Sequence, residues 1–284
     1  MNGILIVNKP ENITSQGVVS RVKKALNIKK CGHTGTLDPL ATGVLPVLVG
    51  NSTKLSKYLV EHNKIYRAVI ELGKKSNTGD REGEIIDTQK VPNNLDENKI
   101  KNVLKEFLGK QIQIPPIYSA IKVNGKKLYE YAREDKKVEI PKREIEIYSI
   151  ELIEFEKEKS TITFEVKCSK GTYIRTLCED IAKRLETIGY MKNLIRTKVD
   201  IFSIEESYSL NDIENGNYKL ITMEELFKNF LSVQLNSRKL ELFLNGVNLS
   251  FELEDGVYNI YNDEKYIGLG IVKNKLLKRD VIDN

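Results

Sequence analysis

Residues 31 to 46 read CGHTGTLDPLATGVLP, and within them one carboxylate, Asp38, stands among Gly32, Gly35, Gly43, three threonines and two prolines. A chain with 30% charged residues seldom isolates an acid in this way. A carboxylate presented by a loop can serve as a covalent nucleophile. The glycines allow positive φ and let a bulky ligand approach the backbone. Pro39 biases Asp38 towards an extended conformation, because its ring clashes with a helical predecessor. Leu37, Leu40, Val44 and Leu45 can anchor the loop in a core and leave the carboxylate facing a cavity. The competing reading is an Asx-turn, in which Asp38 only hydrogen-bonds nearby backbone; residue types alone leave both open.

Other chemistries are poorly represented. The sequence has no G-x-x-x-x-G-K-[ST], G-x-G-x-x-G, H-E-x-x-H or G-x-S-x-G. Cys31-Gly32-His33 is half of a metal site, but no partner pair follows at zinc spacing, so no metal is expected. His62, in a polar turn, reads as a surface residue. Cys168 and Cys178 read as core. Three cysteines, without framework spacing, suit a reduced, cytoplasmic protein. The early apolar run Ile4–Val7 is too short for a signal peptide. No stretch approaches the roughly 20 apolar residues of a membrane span. Nothing indicates an obligate protein partner, so a monomer is expected.

The elements that must position Asp38 follow from periodicity. A helix starts at Thr14 or Ser15 and buries Val18, Val19, Val22, Ala25 and Leu26. Val44 to Val49 reads as a strand, with Pro46 pointing to an edge or bulge. Lys64 to Leu72 and Gly83 to Thr88 read as strands joined by a loop. Ile100, Val103, Leu104, Phe107 and Leu108 mark an amphipathic helix closed by Gly109 at a C′ position. Asn124-Gly125 is a hairpin turn signal, followed by a short helix over Leu128 to Arg133. Residues 124 to 143 are polar and basic and read as a mobile excursion. Ile162, Phe164, Val166 and Cys168 alternate as a half-buried strand. Ile174, Leu177, Cys178, Ile181, Ala182 and Leu185 make a helical stripe that turns Tyr173 and Arg175 off its buried face. Thr222-x-x-Glu225 is a capping box opening a helix to about Phe230. A short helix (Arg238 to Leu244) and strands near Val257–Ile260 and Tyr266–Val272 complete a small β-rich unit. With 284 residues, two domains are expected, 1–230 and 231–284. Strands and helices do not alternate regularly, so the class is α+β.

Net charge is only +5, but cations cluster. Arg21, Lys23, Lys24, Lys29 and Lys30 form one run; Lys122 to Arg143 hold eight cations against four acids; Lys273, Lys275, Lys278 and Arg279 form a third. Such clusters suit a phosphate backbone.

The stretch Gly32 to Gly43 resembles the catalytic motif of the TruB-type tRNA pseudouridine synthases. Val7-Asn8-Lys9-Pro10 with Thr14-Ser15, Lys64-Ile65-Tyr66-Arg67, Pro116 to Arg133, and Ser169 to Arg175 resemble further motifs of that family over residues 3 to 205. Lys265 to Val272 with Leu277 to Arg279 is more weakly similar to a PUA-like RNA-binding domain. The resemblance implies a mixed, largely antiparallel synthase core with flanking helices and a thumb-like insertion at about 124–143. It implies isomerisation of uridine 55 in the tRNA T stem-loop, by base flipping and without a cofactor. Asp38 takes the catalytic aspartate position and would touch C1′ or C2′ of the flipped nucleotide. Arg175 would pair with Asp38 and keep it ionised. Tyr66 takes the base-stacking position, His33 would fill the gap left by the flipped bases, and Tyr173, Leu194 and Lys9 take substrate-contacting positions. Ile195 replaces a usual cation, Asp200 a usual turn glycine, and Asn77 a usual aspartate, with Asp80 retained.

Two other functions compete. A non-catalytic tRNA-binding or folding module would need the basic clusters and tyrosines but no Asp38. A synthase acting on another RNA would keep the chemistry and change the substrate.

Overall fold

The Thr14 hydroxyl accepts a hydrogen bond from the Gly17 amide at 2.9 Å, and the helix Ser15–Ala25 starts there. Val18, Val19 and Val22 are buried along it, as the spacing requires, whereas Ala25 is exposed because it lies past the last buried turn. The structure is a computed structural model and describes residues 1–59 and 63–283. The expectation for His62 lies outside the described residues.

The chain folds as two compact units. The first contains Met1–Leu37, Leu45–Val60 and Glu205–Asn284. Its strand Gly3–Lys9 and the Ser15–Ala25 helix share a core with Leu45, Val47, Leu210 and Ile213. The short strand Cys31–His33 pairs antiparallel with the end of the strand Thr42–Val49. The capping box at Thr222 forms, with the Glu225 amide donating to the Thr222 hydroxyl and the Thr222 amide to the Glu225 carboxylate. Its helix, Met223–Leu226, is shorter than expected. Further along lies a five-stranded sheet in the order Ser232–Gln234, Gly256–Asn262, Lys265–Lys273, Leu276–Ile282, Leu249–Ser250. Phe243, on the helix Ser237–Leu244, is buried in its core with Ile260 and Leu277.

The second unit contains Asp38–Val44 and Glu61–Ile204. Its central strand, Lys64–Leu72, lies between Gly189–Val199 and Thr161–Cys168, both antiparallel to it. Arg143–Glu156 and then the edge strand Gly109–Gln113 extend the sheet. Along Lys64–Leu72 burial alternates, placing Tyr66, Ala68, Ile70 and Leu72 on one face. Ile162, Phe164, Val166 and Cys168 are fully buried on their strand. The helix Ile174–Arg184 buries the expected stripe. The largely antiparallel α+β class therefore holds.

Several elements differ from expectation. Pro46 lies in an interior strand rather than at an edge. The Thr42–Val49 strand exchanges partners along its length, pairing with Gly189–Val199 at Thr42 and Gly43 and with Cys31–His33 at Val47 to Val49. Pro46 falls between these two pairings, and its carbonyl accepts from the Thr34 amide at 3.2 Å. The amphipathic helix ends at Lys105, and Gly109, at φ +88°, opens the following strand rather than capping the helix. The Asn124-Gly125 turn forms with both residues at positive φ, joining Lys122–Val123 to Lys126–Lys127. The insertion is anchored rather than wholly excursive, because Leu128 at the start of the helix Leu128–Arg133 is fully buried.

Candidate active site

Asp38 opens a turn closed by a hydrogen bond from the Ala41 amide to the Asp38 carbonyl at 3.1 Å. Leu37, Leu40 and Val44 are buried and hold the ends of the loop. This leaves the Asp38 side chain 35% exposed, and Arg175 Nε lies 3.1 Å from its Oδ2. The carboxylate is engaged by a cation from elsewhere in the sequence, which an Asx-turn alone does not require.

Arg175 has every donor group directed. Nη1 donates to the Thr78 carbonyl at 3.2 Å and lies 3.7 Å from Asp80 Oδ2. Nη2 donates to the Tyr118 carbonyl at 2.9 Å. The residue is 6% exposed, which corrects the expectation that it faces away from the interior: it leaves the apolar stripe but is enclosed by carbonyls and carboxylates. A guanidinium buried this way is stable only where its donors are met. Asp80 is fixed in turn by the Thr78 hydroxyl (2.6 Å) and the Glu82 amide (3.1 Å). Asn77 accepts from the Glu84 amide at 3.1 Å and closes this loop.

Tyr66 is 7% exposed, so its ring is a buried wall and not an open platform. Burial raises its hydroxyl's pKa; the positive charge of Arg196 opposes the shift, and the Asp38 carboxylate adds to it. Tyr66 and Arg196 are direct partners across antiparallel strands. Leu194, two residues from Arg196 on the same strand face, is also buried. Tyr173 is half-buried at the start of the Ile174–Arg184 helix, where Gln113 accepts from its amide (2.8 Å) and donates to its carbonyl (3.0 Å).

Asp38, Arg175 and Tyr66 are therefore brought together, and Tyr173 and Leu194 belong to the same unit. His33 and Lys9 belong to the other. His33 is half-buried at the end of its short strand. Lys9 does not reach solvent: it is fully buried, and Nζ donates to the Pro10 and Ile13 carbonyls, both at 2.8 Å. It fastens the turn before the first helix. The thiols are unsuited to nucleophilic work, since burial raises Cys31 and Cys168 to about 11.

Sequence reasoning assigned no role to Arg196 or Gln113 and noted Asp80 only as retained. Arg196 had a signal, being two residues from Leu194 on a strand and hence on the same face. Gln113 had none, because nothing local distinguishes a glutamine that clamps a distant helix start. Asp200 keeps the turn that glycine usually makes, at φ +53°, a region aspartate tolerates.

Comparison with known proteins defines the class. Residues 23–174 match the model of the TruB family pseudouridylate synthase N-terminal domain, and residues 175–237 that of the tRNA pseudouridylate synthase B C-terminal domain. The chain is 43% identical to the tRNA pseudouridine synthase B of Caldanaerobacter subterraneus over 281 residues, covering 98% of both chains. It is 44% identical to that of Clostridium novyi, again covering 98% of both. Among solved structures, a Cbf5-Nop10-Gar1 complex is similar with a TM-score of 0.67 at 26% identity, covering 99% of this chain and 83% of the other. The fold and sequence are those of a pseudouridylate synthase. The chain belongs to the TruB family.

Proposed function

We propose that this protein converts uridine to pseudouridine in tRNA, at position 55 of the T-loop. The observation that carries the reading is the Asp38 carboxylate, partly exposed, held at 3.1 Å by an arginine that solvent barely reaches. The curated relatives named tRNA pseudouridine synthase B cover nearly the whole chain, which favours tRNA over other RNAs.

The reaction breaks the N1–C1′ bond, turns the uracil, and joins C5 to C1′; C5 loses a proton and N1 gains one. Asp38 is the group that touches the sugar. Arg175 pairs with that carboxylate and aims it, and needs no rearrangement as charge develops. Flipping the nucleotide out of its loop costs a few kcal/mol. Contact with an aromatic face returns roughly 1–3 kcal/mol per base. Tyr66 provides that contact at the inner wall, with Leu194 and Tyr173 beside the base. His33 occupies the space that the flipped base leaves.

The insertion supplies cations to the RNA backbone. Lys126 and Lys127 lie over Tyr131 and Tyr129 at 5.1 and 5.3 Å, and Arg133 lies over Tyr129 at 5.2 Å. Residues 231–284 form a PUA-like RNA-binding domain, and the protein acts as a monomer in the cytoplasm. Among the described residues no helix is long and apolar enough to cross a membrane.

Tritium release from tRNA labelled with [5-³H]uridine tests the reading directly. Release by the wild-type protein supports it. Binding of tRNA without release would leave a binding module in its place.

A further inference from the structure

Among the described residues, Arg196 is the largest side chain that solvent does not reach, at 1% exposed. Its Nε donates to the Val44 carbonyl at 2.7 Å, on the stretch that begins with Asp38. Arg196 is also the direct cross-strand partner of Tyr66, with both side chains buried, and its charge opposes the rise that burial gives the Tyr66 hydroxyl's pKa. Its backbone is fixed on both sides. It pairs antiparallel with Tyr66 and parallel with Gly43. Gly43 stands at φ +103°, and a Cβ there would lie 2.2 Å from the Arg196 carbonyl oxygen, so only glycine permits the approach. One residue thus bridges, through main chain and side chain together, the loop that presents Asp38 and the strand that carries Tyr66.

A fold that needed only volume at this position would be served by an apolar side chain, which avoids desolvating a guanidinium. The forked donors answer a different need. Arg175 already fixes the carboxylate, but nothing in its contacts fixes Tyr66 relative to it. Arg196 supplies that link, because one rigid planar group bonds Val44 and lies beside its cross-strand partner Tyr66.

Resting on the isomerase reading, we propose that Arg196 is a positioning residue, whose guanidinium sets the placement of the Tyr66 hydroxyl against the Asp38 loop so that the flipped uridine meets both together. Arg196 acts through Tyr66 and does not contact the substrate.

Arg196→Lys keeps the charge but cannot reproduce the fork, and it avoids the collapse that Arg196→Met risks. In the full-length protein, single-turnover tritium release should slow about 100-fold, the cost of a misplacement of about 1 Å. The Kd for tRNA should change less than about threefold, since the contact is made before RNA arrives. In a Tyr66→Phe background, Arg196→Lys should cost less than about threefold more, because the hydroxyl it acts on is gone. With 3-fluorotyrosine at position 66, the ¹⁹F resonance should shift in Arg196→Lys without tRNA present. Equal slowing in both backgrounds, or an effect confined to Kd, or an unmoved ¹⁹F resonance, overturns the proposal. If the wild-type protein releases no tritium, the isomerase reading fails, and the ¹⁹F resonance alone decides whether Arg196 holds Tyr66.

Discussion

Cations meet tyrosines in two regions of the second unit, and the outcomes are opposite. Around Asp38, Arg196 and Tyr66 are both buried and are partners across antiparallel strands. In the insertion, Lys127 and Arg133 both lie over Tyr129, and Lys126 lies over Tyr131. These insertion cations keep solvent contact; Lys126 is 30% exposed and shares Glu134 with Lys136. An exposed cation–aromatic contact contributes only about 0.5–1 kcal/mol, and an exposed ion pair similar or less. The same residue types therefore serve geometry where water is excluded and remain available to a phosphate where it is not.

The comparison breaks most visibly at Asp38. Asp38→Asn should lower single-turnover tritium release by at least about 10⁴-fold, with tRNA affinity and folding retained; a residual rate near wild type would remove the carboxylate from the chemistry. Arg175→Met should lower the rate by about 10²–10³-fold, as expected when a preorganised charge is withdrawn. Filter binding should show Kd unchanged, and weakened binding with normal turnover would class Arg175 with the insertion cations. Gly43→Ala should destabilise the protein by about 2–4 kcal/mol in urea titrations, because positive φ and a backbone clash coincide there.

In the insertion, Lys127→Ala or Arg133→Ala should weaken tRNA binding modestly and leave kcat alone. The slope of log affinity against log salt should fall by about 0.7–0.9 for each phosphate that the variant no longer neutralises. A slope that stays the same would mean these side chains only pack on tyrosine. Glu71 lies between the two extremes, 12% exposed and shared by Lys74 and Lys192. Burial would raise its carboxyl, but hydrogen bonds from Lys192, Lys74 and Tyr190 outweigh it and bring it down to about 2. Its contribution is full above the ordinary value of 4.5 and disappears as pH falls through about 2. Allowing for screening, Glu71→Gln should cost about 1–2 kcal/mol at neutral pH and little at pH 2, as read from thermal unfolding across that range.

The loop around Asp38 and the strand through Tyr66 were legible in the sequence because each depends on local rules, proline and glycine in one and a period of two in the other. The family motifs added the pairing of Asp38 with Arg175. The enclosure of Arg175 was not legible, since its partners Thr78, Asp80 and Tyr118 reach it only through the fold. The burial of Lys9 was not legible either, since the turn to Ile13 that closes over it forms only in the fold. Pro46 misled because a strand that changes partners midway leaves a place for proline that no local pattern announces.

The anchoring of Arg175 also bears on how the chain reaches its folded state. The guanidinium joins segments separated by 97 and 57 residues at Thr78 and Tyr118, and by still more at Asp38. Contacts so far apart in sequence close late and slowly, because long loops must be ordered first. During synthesis the carboxylate cannot meet Arg175 until residue 175 has left the ribosome. A nascent chain short of that point presents the complete loop around Asp38 without the guanidinium that meets it in the folded protein.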